Sequence, residues 1–139
     1  MLVNFTFQNF RSFRDEKTLS MEAGSIKELS ESVIVHDSYR LLPAAVMYGA
    51  NSSGKSNVLL ALMTMRSVLL GSVRLNPKDE LNFQPFKLNL VSKANPTSFE
   101  IQFILGNVKY RYGFDYDKTH ISKAGLYEKL AGQREFNLF

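Results

Sequence analysis

The chain has 139 residues, of which 45% are hydrophobic and 22% are charged, values that fit one globular domain with a buried core. It contains no cysteine, which excludes disulfides, thiolate metal sites and cysteine nucleophiles and agrees with a reducing, cytoplasmic setting. The net charge of +4 favours anionic partners such as nucleotides or DNA, although the basic residues are scattered along the chain. No apolar run is long enough to span a membrane.

The chain opens with an alternating pattern. Residues 2–10 place Val3, Phe5 and Phe7 on one face and polar side chains on the other. A period of two predicts a half-buried strand. Residues 18–21 would return beside this strand, so the sequence predicts an N-terminal hairpin.

The pattern then becomes irregular before it turns continuously apolar. Residues 23–32 predict a loop with a short helix, and residues 33–35 form a brief β-branched run. Residues 44–48 (AAVMY) are apolar at every position, which predicts a strand buried on both faces, as in a parallel sheet. A helix is expected over 55–70, with Gly71 as its C-terminal stop. This helix would be mostly covered, because its polar stripe is narrow: Asn57, Thr64 and Ser67.

The second half of the chain is predicted to be an antiparallel meander. Residues 99–105 and 108–116 alternate apolar and polar side chains, and the Gly106-Asn107 pair between them is typical of a two-residue type II′ turn. A weaker third strand is expected at 121–130, and residues 134–139 would begin a fourth.

The central motif is GANSSGKS at residues 49–56, which matches the phosphate-binding pattern G-x-x-x-x-G-K-[ST]. It lies between the predicted buried strand and the predicted helix, where loop amides and the helix N-terminus would face the phosphates. Gly49 and Gly54 permit a close backbone approach. Lys55 would stabilise charge on the β- and γ-phosphates, and Ser56 would offer its hydroxyl to Mg²⁺. The remaining predicted nucleotide contacts in and after this loop are Asn51, Ser52, Ser53 and Asn57.

The loop alone leaves the class of P-loop protein open, because GTPases, kinases and ATP-driven machines all use it. A GTPase would carry an N-K-x-D motif for base recognition. Residues 76–79 read NPKD, with the lysine one place late, and we interpret them as a surface turn. Small-molecule kinases need lid arginines that the aromatic meander does not resemble. A non-catalytic module that binds nucleic acid or protein is the other alternative.

The stretch VKYRYGFDY at 108–116 interleaves aromatic and basic residues, as a stacking platform for single-stranded nucleic acid does. We predict instead that its aromatic side chains face residues 99–105 across the sheet and form core. Lys109 and Arg111 would then lie on the outer face, from which they could touch DNA.

Three features together resemble a known family: the first strand ending in NFRSF (9–13), the loop YGANSSGKSN (48–57), and the meander after the loop's helix. Over nearly its whole length the chain is similar to the N-terminal lobe of ABC-type ATPases that do not transport. These are RecF, the SMC proteins and bacterial AAA-type ATPases related to OLD proteins and to phage-defence or abortive-infection systems. The resemblance implies an α/β P-loop lobe with a mixed sheet, an N-terminal antiparallel hairpin and an antiparallel β meander in the second half.

The resemblance also implies ligands and partners. The cofactors would be ATP and Mg²⁺, and Arg11 and Ser12, just after the first strand, would approach the nucleotide. Asn51 matches the asparagine common in this loop, whereas Ser52 stands where SMC proteins often have glycine. In the complete protein a second ATPase subunit would join head to head, and DNA or an effector nuclease would be a further partner.

Hydrolysis in this family needs a Walker B strand ending in Asp-Glu, a signature motif and a sensor glutamine. Residues 33–37 end in a single acid and precede the loop, and Asp115 lies inside the meander, so we interpret both as structural. Gln84 and Gln133 have no diagnostic context. We therefore expect residues 1–139 to be an incomplete N-terminal lobe of an ABC/RecF-like ATPase domain, which binds ATP and does not hydrolyse it alone.

Overall fold

The computed structural model describes residues 1–25, 30–72, 80–130 and 134–139. Its strands and helices, in chain order, are β1 (Leu2–Gln8), β2 (Lys17–Ser20), β3 (Ile34–His36), β4 (Tyr39–Leu41), α1 (Lys55–Ser72), α2 (Leu90–Ala94), β5 (Thr97–Leu105), β6 (Val108–Tyr116), β7 (Ile121–Leu130) and β8 (Phe136–Asn137). A single 3₁₀ turn at Ser30–Ser32 precedes β3. Six strands form one sheet in the order β2-β1-β5-β6-β7-β8, and β3 and β4 form a separate pair.

The N-terminal strand β1 lies inside the large sheet, between β2 and β5. Phe5 and Phe7 are at most 1% exposed and belong to the aromatic core, as predicted. Val3 is also buried, but it packs in a separate cluster with Leu41 and Ile104, because the pairing of β1 with β5 is irregular between Leu2 and Asn4. The pairing of β1 with β5 is also tied at its end, where the amino group of Met1 donates to the carbonyl oxygen of Ile104. The predicted hairpin of β1 and β2 is confirmed, and β1 also pairs with β5, which lies far along the chain.

The meander of β5, β6 and β7 has the predicted register. Leu105 pairs with Val108 across a two-residue turn in which Gly106 has φ 59°. A positive φ at the first central residue is the requirement of a type II′ turn. Phe99 then pairs with Phe114, and the remaining aromatic pairs of β5 and β6 follow on the same face. The predicted aromatic core face, the third strand and the fourth strand are all confirmed.

Helix α1 covers part of this aromatic face. Its buried apolar side chains are those of Ala61, Met65 and Val68. On the sheet side, the ring of Phe99 is stacked on the ring of Tyr116 with centroids 5.5 Å apart. Burial raises the pKa of Tyr116, whose hydroxyl donates to a backbone oxygen at 3.1 Å, so this phenol stays protonated.

The fold class is confirmed as α/β with an N-terminal hairpin and a strand meander. The prediction of a strand at residues 44–48, before the phosphate-binding loop, is wrong. Residues 44–48 are not in a strand, and Val46 and Tyr48 are 71% and 89% exposed. Within the part of the chain that the structure describes, both sheets are antiparallel, so the parallel portion of the expected mixed sheet is not seen there. An apolar run predicts burial, yet a strand also needs a neighbour for its backbone groups, and no described strand runs beside this one.

The expected burial of α1 is also wrong in part. Thr64, expected on the polar stripe, is only 8% exposed, whereas Met63 is 63% exposed. Leu59 and Leu70 are exposed as well, and we call these three exposed side chains the apolar ridge of α1. Gly71 does not stop the helix, which includes Ser72. The sequence patterns gave no sign of β4 or α2, which are three and five residues long.

A buried asparagine joins the first strand to the connection before β5. Asn9 is 5% exposed and its backbone has φ 54°. Its amide nitrogen donates to the carbonyl oxygens of Ser92 and Asn95, each at 2.8 Å. The side-chain oxygen of Asn9 accepts a hydrogen bond from the backbone N–H of Phe86 at 3.0 Å. The backbone carbonyl oxygen of Asn9 accepts a hydrogen bond from the hydroxyl of Thr97 at 2.7 Å. The side chain therefore fixes the turn that follows β1.

We expect Asn9→Ala to lower the free energy of unfolding by about 2–4 kcal/mol. The change leaves buried backbone groups without hydrogen-bond partners and places alanine at a positive φ, which alanine tolerates less well than asparagine. Urea unfolding followed by circular dichroism measures the change. The matched control is Gln8→Ala, which removes an exposed amide one residue earlier and should change stability by less than about 0.5 kcal/mol. Equal losses in the two variants would contradict the role assigned to Asn9.

Candidate nucleotide-binding site

The phosphate-binding loop is a curved backbone segment immediately before α1. Ser52 has φ 64° and Gly54 has φ 95°, so left-handed residues alternate with ordinary ones. The amide of Ser53 donates to the carbonyl of Ala50 at 3.2 Å, which closes a turn inside the loop. Alternating handedness makes successive N–H groups converge, which is the geometry of an anion-binding backbone concavity.

The side chain of Lys55 folds back across this concavity. Its ammonium nitrogen donates to the carbonyl oxygens of Gly49 at 2.8 Å and Ala50 at 2.7 Å, and it lies 3.5 Å from the hydroxyl of Ser53. A positive charge is thus held by the loop's own backbone at the place where the sequence predicts phosphate. A phosphate oxygen, which carries negative charge, would attract this ammonium group more strongly than a neutral carbonyl oxygen does.

Several loop amides remain as donors. The first helical hydrogen bonds run from the amides of Asn57 and Val58 to the carbonyl of Gly54, at 2.9 and 3.3 Å. Within the described part of the chain, no acceptor is bonded to the amides of Asn51, Ser52, Gly54, Lys55 and Ser56. Unpaired amides at a helix N-terminus beside an ammonium group suit a multiply charged oxyanion, so the residues present fit a nucleotide phosphate.

The turn after β1 packs directly against the loop. Phe10 and Phe13 exchange backbone hydrogen bonds of 2.9 Å, which makes the turn tight. The side-chain amide of Asn57 donates to the hydroxyl of Ser12 at 2.8 Å. A Cβ atom at Gly54 would lie 2.8 Å from the ring of Phe13. The predicted residues Ser12, Gly54 and Asn57 are therefore brought together by a contact between distant segments.

The structure adds one residue that the sequence reasoning did not single out. Phe13 stands between the loop and the sheet, with its ring edge-on to Phe7 at a centroid distance of 5.1 Å. The sequence showed Phe13 only as part of the NFRSF pattern, because an aromatic residue in a turn does not reveal which segment it packs against. Arg11 is exposed, has φ 50°, and uses its backbone amide to donate to Gln84 at 2.8 Å.

Among the described residues, the other sequence candidates have no hydrogen bond or ion pair with the loop, and the remaining ones lie outside the described ranges. Asp115 on β6 is ion-paired with Lys123 at 3.0 Å, and Asp37 lies in the turn between β3 and β4. The side chain of Gln84 donates to Asn82 at 2.6 Å. Residues 76–79 and Gln133 lie outside the described ranges. In those ranges, no group of three or more His, Asp or Glu side chains is arranged to hold a metal ion.

Residues 44–137 match the family model described as "AAA domain, putative AbiEii toxin, Type IV TA system". The chain belongs to this family of AAA domains. The matched segment contains the phosphate-binding loop, α1 and the meander, so the prediction of a P-loop domain of the ATPase type is confirmed at that level. A search of curated proteins finds no match to the chain. None of the described helices has the length and apolar character that crossing a membrane requires.

We expect Gly54→Ala in this AAA domain to displace the loop from the turn after β1, because the new methyl group would meet Phe13 and the backbone has positive φ. Amide signals of Ser12 and Asn57 in two-dimensional NMR spectra should shift, with a stability loss of about 1–3 kcal/mol.

The matched control is Gly71→Ala, at a helical glycine with nothing within 4 Å of the added atom. That change should leave the loop signals in place and leave stability equal or higher by about 0.5–1 kcal/mol. Unchanged Ser12 and Asn57 signals in Gly54→Ala would show that the turn does not hold the loop.

Proposed function

We propose that this AAA domain binds Mg·ATP through residues 49–57 and acts as the N-terminal lobe of an ATPase of the RecF, SMC and OLD-like group. The observation that carries the proposal is the Lys55 ammonium group, held 2.7–2.8 Å from two carbonyls of a loop in which five backbone amides are unpaired. A triphosphate would replace those carbonyls as the partner of Lys55. The family match supports nucleotide binding and the ATPase type.

Each loop residue has a role that follows from its position. The unpaired amides of residues 51, 52 and 54–56 would donate to the phosphate oxygens, and Lys55 would neutralise charge on the terminal phosphates. Ser56 would direct its hydroxyl toward Mg²⁺, which supplies charge neutralisation between the phosphates. Ser12 and Asn57 hold the loop in place, and Arg11, exposed on the same turn, would reach the base or phosphates.

We assign hydrolysis to the complete protein and not to these residues alone. In the 139 residues, no apolar run ends in the Asp-Glu pair that polarises an attacking water. The exposed residues 44–48 and the apolar ridge of α1 would be covered by the remainder of the ATPase domain. A second ATPase subunit, joined head to head, would complete the site, and a DNA-directed or phage-defence effector would respond to it.

The proposal is tested by calorimetric titration of the purified chain with Mg·ATP and with Mg·GTP, with phosphate release followed on the same samples. Lys55→Ala should weaken ATP binding by about 10- to 100-fold, since it removes a charged hydrogen-bond donor of about 1.4–3 kcal/mol. The matched control Lys87→Ala removes an exposed lysine outside the loop and should bind ATP as the unaltered chain does.

Three other outcomes would count against the proposal. A strong preference for GTP, or transfer of phosphate to a small acceptor, would indicate a different class of P-loop enzyme. Indifference to nucleotide in a folded chain that still binds DNA or protein would indicate a non-catalytic binding module. Equal ATP affinity in Lys55→Ala and Lys87→Ala would show that the loop is not the site.

A further inference from the structure

The segment around α2 turns its apolar side chains outward and its polar side chains inward. Leu88, Leu90 and Val91 are 89%, 82% and 68% exposed, and we call these three side chains the apolar tip. Ser92 is only 8% exposed, and Asn89 is half-buried. A surface segment normally does the reverse, because burying apolar area is favourable and burying polar groups is costly. Neighbouring apolar side chains that project into water indicate a contact surface.

Hydrogen bonds hold the backbone of this segment in place. The side chain of Asn89 accepts the amide N–H of Ser92 at 3.1 Å, and its carbonyl oxygen accepts the amide N–H of Lys93 at 3.2 Å. The side chain of Asn9 accepts from the amide of Phe86 and donates to the carbonyl oxygen of Ser92. The apolar tip is therefore presented on an ordered backbone, and a ligand binds it without the entropy cost of ordering the chain.

Two lysines flank the apolar tip without a neutralising partner. Lys87 and Lys93 are exposed and form no ion pair with any of the described residues. Residues 81–99 contain no acid. The chain on both sides of the tip therefore contributes positive charge only.

The acids in the recess beside α2 do not offset this charge, because each has its own cation. Asp15 is paired with Arg14 at 2.9 Å. Asp115 is paired with Lys123 at 3.0 Å. The tip is thus an apolar surface with a positive rim.

We propose that the apolar tip and its two lysines bind the surface of an anionic lipid bilayer. At such a surface, apolar side chains enter the boundary between head groups and acyl chains, and lysines are attracted to the anionic head groups. The side chains of Leu88 and Leu90 project from the protein, and lipid head groups can move apart around them, so no matching cavity is required. A peripheral contact of this kind needs no membrane-spanning helix.

A second copy of this chain suits the tip less well. In a symmetric dimer the same patch meets itself, so Lys87 and Lys93 would approach their own copies. Like charges brought together in this way oppose association. A protein with an apolar cavity and an acidic rim is the other occupant that the charges allow, and the lipid experiment distinguishes it from a bilayer.

This contact goes beyond nucleotide binding at residues 49–57 and does not depend on it. The apolar tip lies on and just before α2, and no residue of the phosphate-binding loop belongs to it. Lys55→Ala should lose ATP binding and keep lipid binding, so failure of one proposal is distinguishable from failure of the other.

The test is co-sedimentation of the full chain with vesicles of phosphatidylcholine alone and of phosphatidylcholine with about 30% phosphatidylglycerol, at about 50 and about 200 mM salt. The chain should bind the anionic vesicles and bind them less at the higher salt. Leu88→Ser/Leu90→Ser should lower the partition coefficient about tenfold, because two apolar side chains no longer enter the interface. Lys87→Gln/Lys93→Gln should lower it about 30-fold on anionic vesicles at low salt.

Each double variant has a matched control elsewhere on the surface. Val35→Ser/Leu105→Ser removes two exposed apolar side chains, and Lys17→Gln/Lys129→Gln removes two exposed lysines. Both controls should bind anionic vesicles within about threefold of the unaltered chain. Thermal unfolding of the two tip variants should match that of the unaltered chain, because the side chains removed are exposed.

The proposal is overturned if the unaltered chain does not sediment with anionic vesicles, or if each control loses as much binding as its matched tip variant. Equal binding to neutral and anionic vesicles would contradict the role given to the lysines. A chain that ignores vesicles but binds soluble polyglutamate through the same two lysines would point to a protein partner instead of a bilayer.

Discussion

The buried carboxamide of Asn9 is the constraint on which the rest of the site depends. It binds the backbone on both sides of α2 and fixes the turn that carries Ser12 and Phe13. The same turn contacts Gly54 and Asn57, so the phosphate-binding loop is positioned by a turn more than forty residues earlier in the chain. Because each contact is short and specific, the loop does not rely on sheet pairing on its N-terminal side. The candidate site in this AAA domain is thus positioned by a polar side chain in a turn, and not by a strand leading into the loop.

The strands of the large sheet could be predicted because they have one buried and one exposed face. Alternation located β1 and the meander, and Gly106-Asn107 fixed the register of β5 on β6. The phosphate-binding loop could be predicted because its chemistry requires particular residues at fixed spacing. These features are local, so a single sequence is enough to show them.

The features that could not be predicted depend on contacts between distant segments. Residues 44–48 have the composition of a buried strand, but burial depends on a neighbour that composition does not identify. Thr64 was placed on the wrong side of α1 because an almost wholly apolar helix has no clear direction, and the sheet decides which side is covered. The support given by Phe13 to the loop was also invisible, since its partners Phe7 and Gly54 lie on two different elements.

The exposed segment at residues 44–48 has a consequence for the thermodynamics of the loop. The loop is anchored at Lys55 and at the turn after β1, while the chain entering at Gly49 has no strand partner in the described part of the molecule. Ordering of that entrance would be part of the entropy lost when a nucleotide binds. A polypeptide that pairs with residues 44–48 would order this segment before the nucleotide binds. The nucleotide would then lose less conformational entropy on binding, and its affinity would rise. By reciprocity, bound nucleotide would raise the affinity for that polypeptide by the same factor, and the unpaired segment would act as a coupler between the two.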